Sequence, residues 1–217
     1  RFISQIEIRL GSPAPCLQGK AMKFFEKPGP EMSDRVPPGQ HLAKGFPVST
    51  YGDTPQISTA DWRLKTWGKA ERKTYTWEDM MALPQQDFTA DFHCVTTWSK
   101  LDVKWTGIAV PDFLATLNLE PSATHVLLHC FGAYTTNLTL ADFNRPENFF
   151  AHRLYGEPLP ADHGGPMRLV VPHLYAWKSA KWISGIEFLP QENLGFWERN
   201  GYHPRGEPFA VERYSGR

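Results

Sequence analysis

A chain of 217 residues with 41% apolar side chains, among them 8 Trp, 7 Tyr and 14 Phe, can bury the core of one large domain, which excludes a mainly disordered protein. Its 23 Lys and Arg balance 23 Asp and Glu, so no global field draws it to nucleic acid or an anionic membrane, and no run nears the roughly 18 apolar residues that span a bilayer. Three cysteines cannot all pair with one another, and no signal-peptide pattern opens the sequence, so the expectation is a cytoplasmic protein.

From Cys16 to Pro55 the chain is rich in Pro and Gly and lacks periodicity, with Lys27-Pro28-Gly29-Pro30 and Val36-Pro37-Pro38-Gly39 as breakers. An irregular arm is expected over residues 1–39 and one domain over residues 40–217. Trp62 to Trp67 alternates apolar and polar residues, as a half-buried strand does, and Gly68 ends it. Thr76 with Asp79 three residues on predicts a capped short helix running toward Pro84. Phe88, Ala90, Phe92 and Cys94 then share one face of a strand, opposite Thr89, Asp91 and His93, and the run Val95 to Lys100 is expected to loop away. Pro111 opens a second short helix, Val126–Leu128 reads as a buried strand, and Thr139 with Asp142 repeats the cap spacing. Met167 to Val171 is a further strand, stopped by Pro172, whose Arg168 needs a partner. The tail from Phe196 to Arg217 is expected to lie over the surface. Strands and short helices that alternate without a regular rhythm predict the α+β class.

Chemistry concentrates at two places. Cys94 sits where a strand ends, and a thiolate is both a nucleophile and a soft metal ligand. Cys130, in an apolar run after His129, reads as core. Zinc held by His93-Cys94 and His129-Cys130 is the metal alternative, weakened because adjacent strand residues point to opposite faces. The second place is His163-Gly164-Gly165-Pro166-Met167-Arg168 followed by Lys178-Ser179-Ala180-Lys181-Trp182. The two glycines admit close backbone approach to a ligand, Arg168 offers a planar donor fork, and a helical turn would put Lys178 and Lys181 on one side. Together these form a small anion cradle without nucleotide P-loop spacing.

These motifs are similar to those of the sulfite oxidase-like molybdopterin-dependent oxidoreductases, particularly the catalytic subunit of protein-methionine-sulfoxide reductase and its relatives. The resemblance covers about three-quarters of the chain, from Gln40 to Tyr202, and rests on His93 to Lys100, Tyr155 to Leu159, His163 to Pro172 and Tyr175 to Trp182. It implies a sulfite oxidase-type fold of mixed β-sheets with short helices. It further implies one molybdenum on one pyranopterin per chain, with Cys94 as the single protein thiolate on the metal. Arg168, His163 and the Ser179-Ala180-Lys181 tripeptide would bind the cofactor. Phe46, Pro47 and Val48 would stand where relatives use an N-terminal contact, and Lys178 joins them on charge alone. His93, Trp98, Tyr134 and Tyr175 are the substrate-pocket candidates. Sulfite oxidases place Arg before the ligand cysteine and Ala-Gly-Asn-Arg after it, whereas His93 and Val95-Thr96-Thr97-Trp98 stand here.

The implied activity is oxygen-atom transfer on a small S-oxide, N-oxide or sulfur compound, with electrons exchanged with a separate haem, flavin or quinone protein. Two rival readings are a non-enzymatic binding module of the same fold and an enzyme using Cys94 directly as nucleophile with His93 or another histidine as base. His152 and His173 are read as structural or surface residues.

Overall fold

A computed structural model describes residues 7–9, 25–27 and 34–216. Four short strands come first: β1 (Glu7–Arg9), β2 (Phe25–Glu26), β3 (His41–Ala43) and β4 (Val48–Thr50). Next are β5 (Leu64–Gly68), β6 (Lys73–Tyr75), α1 (Trp77–Met81), β7 (Gln86–Cys94), β8 (Trp98–Ala109) and α2 (Val110–Leu114). Then follow β9 (His125–Cys130), β10 (Thr135–Thr139), α3 (Leu140–Phe143), β11 (Phe149–Leu154), β12 (Glu157–Pro158), β13 (Arg168–Val170), β14 (Ile183–Leu189) and α4 (Phe196–Arg199).

Local chemistry explains most of these boundaries. At α1 the Thr76 hydroxyl accepts from the Asp79 N–H and the Asp79 carboxylate accepts from the Thr76 N–H, so both members of the predicted box close. Thr139 caps α3 by accepting from the Asp142 N–H at 2.9 Å, and Pro111 opens α2. β5 buries Leu64 and Thr66 and exposes Lys65, as its alternation predicts. Gly68 ends it at φ +85°, where a Cβ would lie 2.2 Å from the Phe188 carbonyl oxygen.

Five strands form a mixed sheet in the order β10-β9-β14-β5-β6, with β14 parallel to β5 and the other neighbours antiparallel. Its inner face, with Leu64, Val126, Leu128, Ile186 and Phe188, packs on Trp62, Phe113 and Phe150 in the larger core. The second sheet runs β12-β11-β8-β3-β2, with β13 on β11 and β7 on β8. β8 is 12 residues long, enough to carry β7 along one edge and β3 and β11 at opposite ends of the other. A separate core of Phe92, Cys94, Trp98, Trp105, Phe149 and Val170 covers this sheet. β1 pairs only with β4 among the described residues.

Three expectations need correction. The arm is not irregular throughout, because β1 and β2 pair with β4 and β3; Cys16 lies outside the described residues. Val95–Thr97 is a three-residue hairpin turn rather than a longer loop: Cys94 pairs with Trp98, the Thr97 N–H donates to the Cys94 carbonyl at 3.0 Å, and Thr97 takes φ 75°. The tail does more than coat the surface. It buries Glu198 and Tyr202, and Gly206 at φ +80° lies so close under Trp177 that a Cβ there would sit 2.6 Å from the indole.

Candidate functional site

One open cleft, with about 920 Å³ of empty space counted out to its mouth, gathers both chemical regions. Its lining includes Phe46 and Pro47, Cys94 and Trp98 of the β7–β8 hairpin, Tyr134, His163, Arg168, Ser179 and Lys181. Among the described residues no carboxylate lines it.

Cys94 ends the apolar face of β7, so its sulfur enters the cleft at the start of the turn. Its Sγ lies 3.1 Å from the Thr96 hydroxyl. Burial pushes the thiol pKa up, opposed by hydrogen bonds from the Thr96 hydroxyl and N–H, by Lys181 and by Ser49. Behind the strand, Gln40 donates to the Cys94 carbonyl at 3.0 Å and accepts from Ser99, which in turn bonds His93 Nδ1 at 2.9 Å. His93 therefore braces the back of the strand, edge-on to Phe209, and does not line the cleft. Strand alternation is the reason, and burial lowers its pKa to about 4, leaving it neutral.

Arg168 is buried with only carbonyl partners. Its guanidinium donates to His163 O and Ser179 O, each at 2.8 Å, and lies 5.2 Å over the Phe92 ring. Lys181 Nζ likewise donates to Ser49 O at 2.8 Å and Asp162 O at 2.6 Å. Burial lowers Arg168 to about 9; burial and then Arg168 lower Lys181 to about 7. A buried guanidinium and a half-buried ammonium whose hydrogen bonds go to carbonyls are costly, with the Asp162 charge offsetting part of that cost for Lys181, and an anionic ligand relieves the rest. The indole N–H groups of Trp98 and Trp105 are also buried with no partner among the described residues. The Ser179 hydroxyl accepts from the Val171 N–H at 2.9 Å, which leaves its own proton to donate. Phe46 stacks at a tilt on His163, 4.7 Å between centroids, and burial holds that histidine neutral with a pKa of about 4. Donors, an aromatic shelf and one thiol thus suit an anionic heterocyclic metal cofactor.

Besides His93, four expected residues lie elsewhere. Lys178 does not share a face with Lys181: only Ala176–Lys178 forms a 3₁₀ turn. Its Nζ pairs with Glu198 at 2.6 Å and donates to the Asn137 and Pro204 carbonyls. Tyr175 is fully buried, stacked on Trp177 and bonded to Arg213 Nε. Ala180 turns its methyl into the larger core, and Val48 is buried beside the cleft rather than lining it. The glycines also act otherwise than expected. A Cβ on Gly165 would lie 2.1 Å from the Leu159 carbonyl oxygen, and one on Gly164 3.0 Å from Lys181 Cβ, so both let chain pack on chain and set the cradle's shape. The zinc alternative has no support among the described residues, where no group of three metal-ligating side chains occurs.

Sequence reasoning missed Ser49, Tyr51, Thr96, Trp197 and Tyr202, all of which line the cleft. Tyr202 stacks on Trp197 at 5.1 Å and Tyr51 packs on Phe196 at 4.9 Å, so the mouth is aromatic. The density of aromatics in the tail was the one available signal.

Residues 51–197 match the model of the oxidoreductase molybdopterin binding domain, and the chain belongs to this family. It is 41% identical over 196 residues to the uncharacterized oxidoreductase YuiH of Bacillus subtilis (strain 168), covering 89% of this chain and 99% of that protein. It is 28% identical to the putative protein-methionine-sulfoxide reductase subunit YedZ1 of Azospira oryzae, over 87% of this chain and 71% of the relative. The sulfane dehydrogenase SoxCD from Paracoccus pantotrophus superimposes with a TM-score of 0.63 at 18% identity, over 71% of this chain and 44% of that one. The fold is the sulfite oxidase-type molybdopterin-binding one, with mixed sheets and few short helices, as the sequence led us to expect.

With Lys181 near 7, the cofactor-free cleft should bind sulfate less tightly as pH rises from 6 to 8, because the ammonium loses its proton through that window while sulfate keeps its charge. The sign follows from the lowered pKa: above 7 the folded state holds Lys181 neutral, and a neutral amine gives no charge attraction. Calorimetric titration across this range checks it, and Lys181→Met should flatten the trend.

Proposed function

We propose that this chain is a molybdenum-dependent oxidoreductase that transfers an oxygen atom to or from a small S-oxide, N-oxide or sulfur compound. The observation that carries this reading is the meeting, in one cleft, of the Cys94 thiol, the buried Arg168 guanidinium and the half-buried Lys181 ammonium, with no carboxylate among the described residues of the lining. Bound there, the cofactor supplies two-electron oxygen-atom transfer at molybdenum. Cys94 would hold the metal, and positive metal charge would reverse the burial penalty on its thiolate. Arg168, Lys181 and Ser179 would hold the anionic and hydrogen-bonding parts of the cofactor, with His163 and Phe46 as neighbouring contacts. Tyr134, whose hydroxyl donates to the Trp177 carbonyl at 2.6 Å, and Trp98 remain in the cleft lining. Residues 40–217 would form the cofactor-binding unit.

An anionic substrate such as sulfite would need a further cation beside the metal. Among the described residues Arg168 and Lys181 are the only Lys or Arg lining the cleft, and the cofactor would engage both, so the aromatic mouth favours a neutral oxide. The presence of a protein-methionine-sulfoxide reductase subunit among the relatives supports the same direction. Electrons would pass to or from a separate partner. Among the described residues no helix is long and apolar enough to cross a membrane. The thiol-nucleophile reading loses the base it names first, since His93 faces away from the cleft.

Arg168→Ala combined with Lys181→Glu should give folded protein with less than about a tenth of wild-type pterin, since each charge-assisted contact contributes roughly 1.5–3 kcal/mol. Elemental analysis and pterin fluorescence on protein from a molybdenum-replete host read the result. Full occupancy in the double variant, or no molybdenum in the wild type, defeats the reading.

A further inference from the structure

The Cys94 sulfur has a donor within reach on the protein side. The Thr96 hydroxyl lies 3.1 Å from it, and the Ser49 hydroxyl, buried without a hydrogen-bond partner among the described residues, belongs to a residue that lines the same cleft. Thr96 is not needed for the turn's own geometry. The closing bond runs from Thr97 N–H to Cys94 O, the left-handed residue is Thr97, and His41 N–H anchors the turn through the Thr97 carbonyl. The Thr96 side chain is thus free to serve the sulfur, and its β-branch restricts the rotamers that can carry it elsewhere.

Direction of donation follows from protonation. A neutral thiol and a hydroxyl can each donate to the other. A metal-bound thiolate has only lone pairs, so in the loaded protein Thr96 Oγ1–H must be the donor.

We propose that Thr96 is a positioning and tuning residue for the metal-ligating sulfur, raising the reduction potential of the molybdenum centre through its hydroxyl. The proposal rests on the molybdopterin reading above. A hydrogen bond withdraws electron density from the sulfur, and it strengthens as the centre gains electrons, so it stabilises the reduced states more than the oxidised one. The Val95–Thr97 turn therefore both delivers the ligand and sets how readily the metal accepts electrons from a partner.

Thr96→Val keeps the branched shape and removes the donor, while Thr96→Ser keeps the donor. EPR-monitored redox titration of the loaded enzyme should show the Thr96→Val centre shifted at least threefold toward the oxidised side, about 28 mV at 59 mV per tenfold for a one-electron couple. Thr96→Ser should stay close to wild type. The sulfur-to-molybdenum charge-transfer absorption should move in Thr96→Val and not in Thr96→Ser. Thr96→Ala is the second deletion if the valine variant does not accumulate, and potentials are read on the loaded fraction alone. Deletion variants with wild-type potential and absorption, or a change confined to KM, overturn the tuning role and leave the cofactor assignment standing. A wild-type protein that carries no molybdenum overturns the cofactor reading, and this proposal with it.

Discussion

Cys94→Ser will leave the chain folded and lower turnover at least about a thousandfold, equivalent to about 4 kcal/mol of barrier. The fold should survive because the side chain is small within the cluster that also holds Phe92 and Trp98, and a hydroxyl there can still bond Thr96 at a cost of about 1 kcal/mol. Turnover should not survive, because an alcohol at neutral pH offers the metal neither the charge nor the softness of a thiolate. The cradle is untouched by this change. Pterin content should therefore stay above half of wild type while the metal's spectrum changes, the reverse of what Arg168→Ala with Lys181→Glu produces. Paired metal and pterin assays separate the two, and wild-type turnover by the serine variant would remove Cys94 from the site.

The largest expected effect on stability falls on a lysine that the cleft does not use. Lys178→Met should cost about 3–5 kcal/mol, because it strands the Glu198 carboxylate in a site from which water is excluded. At 2–4 °C per kcal/mol for a chain of this size, Tm should fall by roughly 6–20 °C. Glu198 retains the Thr136 hydroxyl at 2.7 Å and the Trp177 N–H at 3.0 Å, which soften the loss without neutralising the charge. Lys178→Met combined with Glu198→Gln should recover more than half of the deficit, since no ion then remains unpaired. Calorimetric melting of the four proteins forms the cycle, and a double variant as unstable as the single one would show that the pair acts through packing instead.

Local signals were legible where one short-range interaction decides the outcome. The Thr76–Asp79 box, the Thr139 cap, the β5 alternation and the Cys94 face of β7 all follow from residues within six positions of one another. Lys178 was misplaced because its partner, Glu198, comes from a tail whose path is set by Gly206 under Trp177 and by the Arg205–Asp142 pair at 3.0 Å. His93 and Tyr175 were drawn toward the site by their neighbours in sequence, whereas alternation and burial turn them away from it. Glycines 164 and 165 carry no label that distinguishes approach by a ligand from approach by the Leu159 carbonyl. Spacing within a motif can name the cofactor's holders; it cannot say which distant segment walls the mouth.

The cleft draws on segments from opposite ends of the polypeptide: residues 46–51, the hairpin at 94–98, the turn around 181 and the aromatics Trp197 and Tyr202. β5, moreover, finds its parallel neighbour β14 only some 120 positions later. Contacts of such separation form late, since the intervening loop must close first. A chain not yet made as far as Tyr202 lacks one wall of the cleft, so a pterin would enter only after that segment has folded into place, which would tie acquisition of the prosthetic group to completion of the fold.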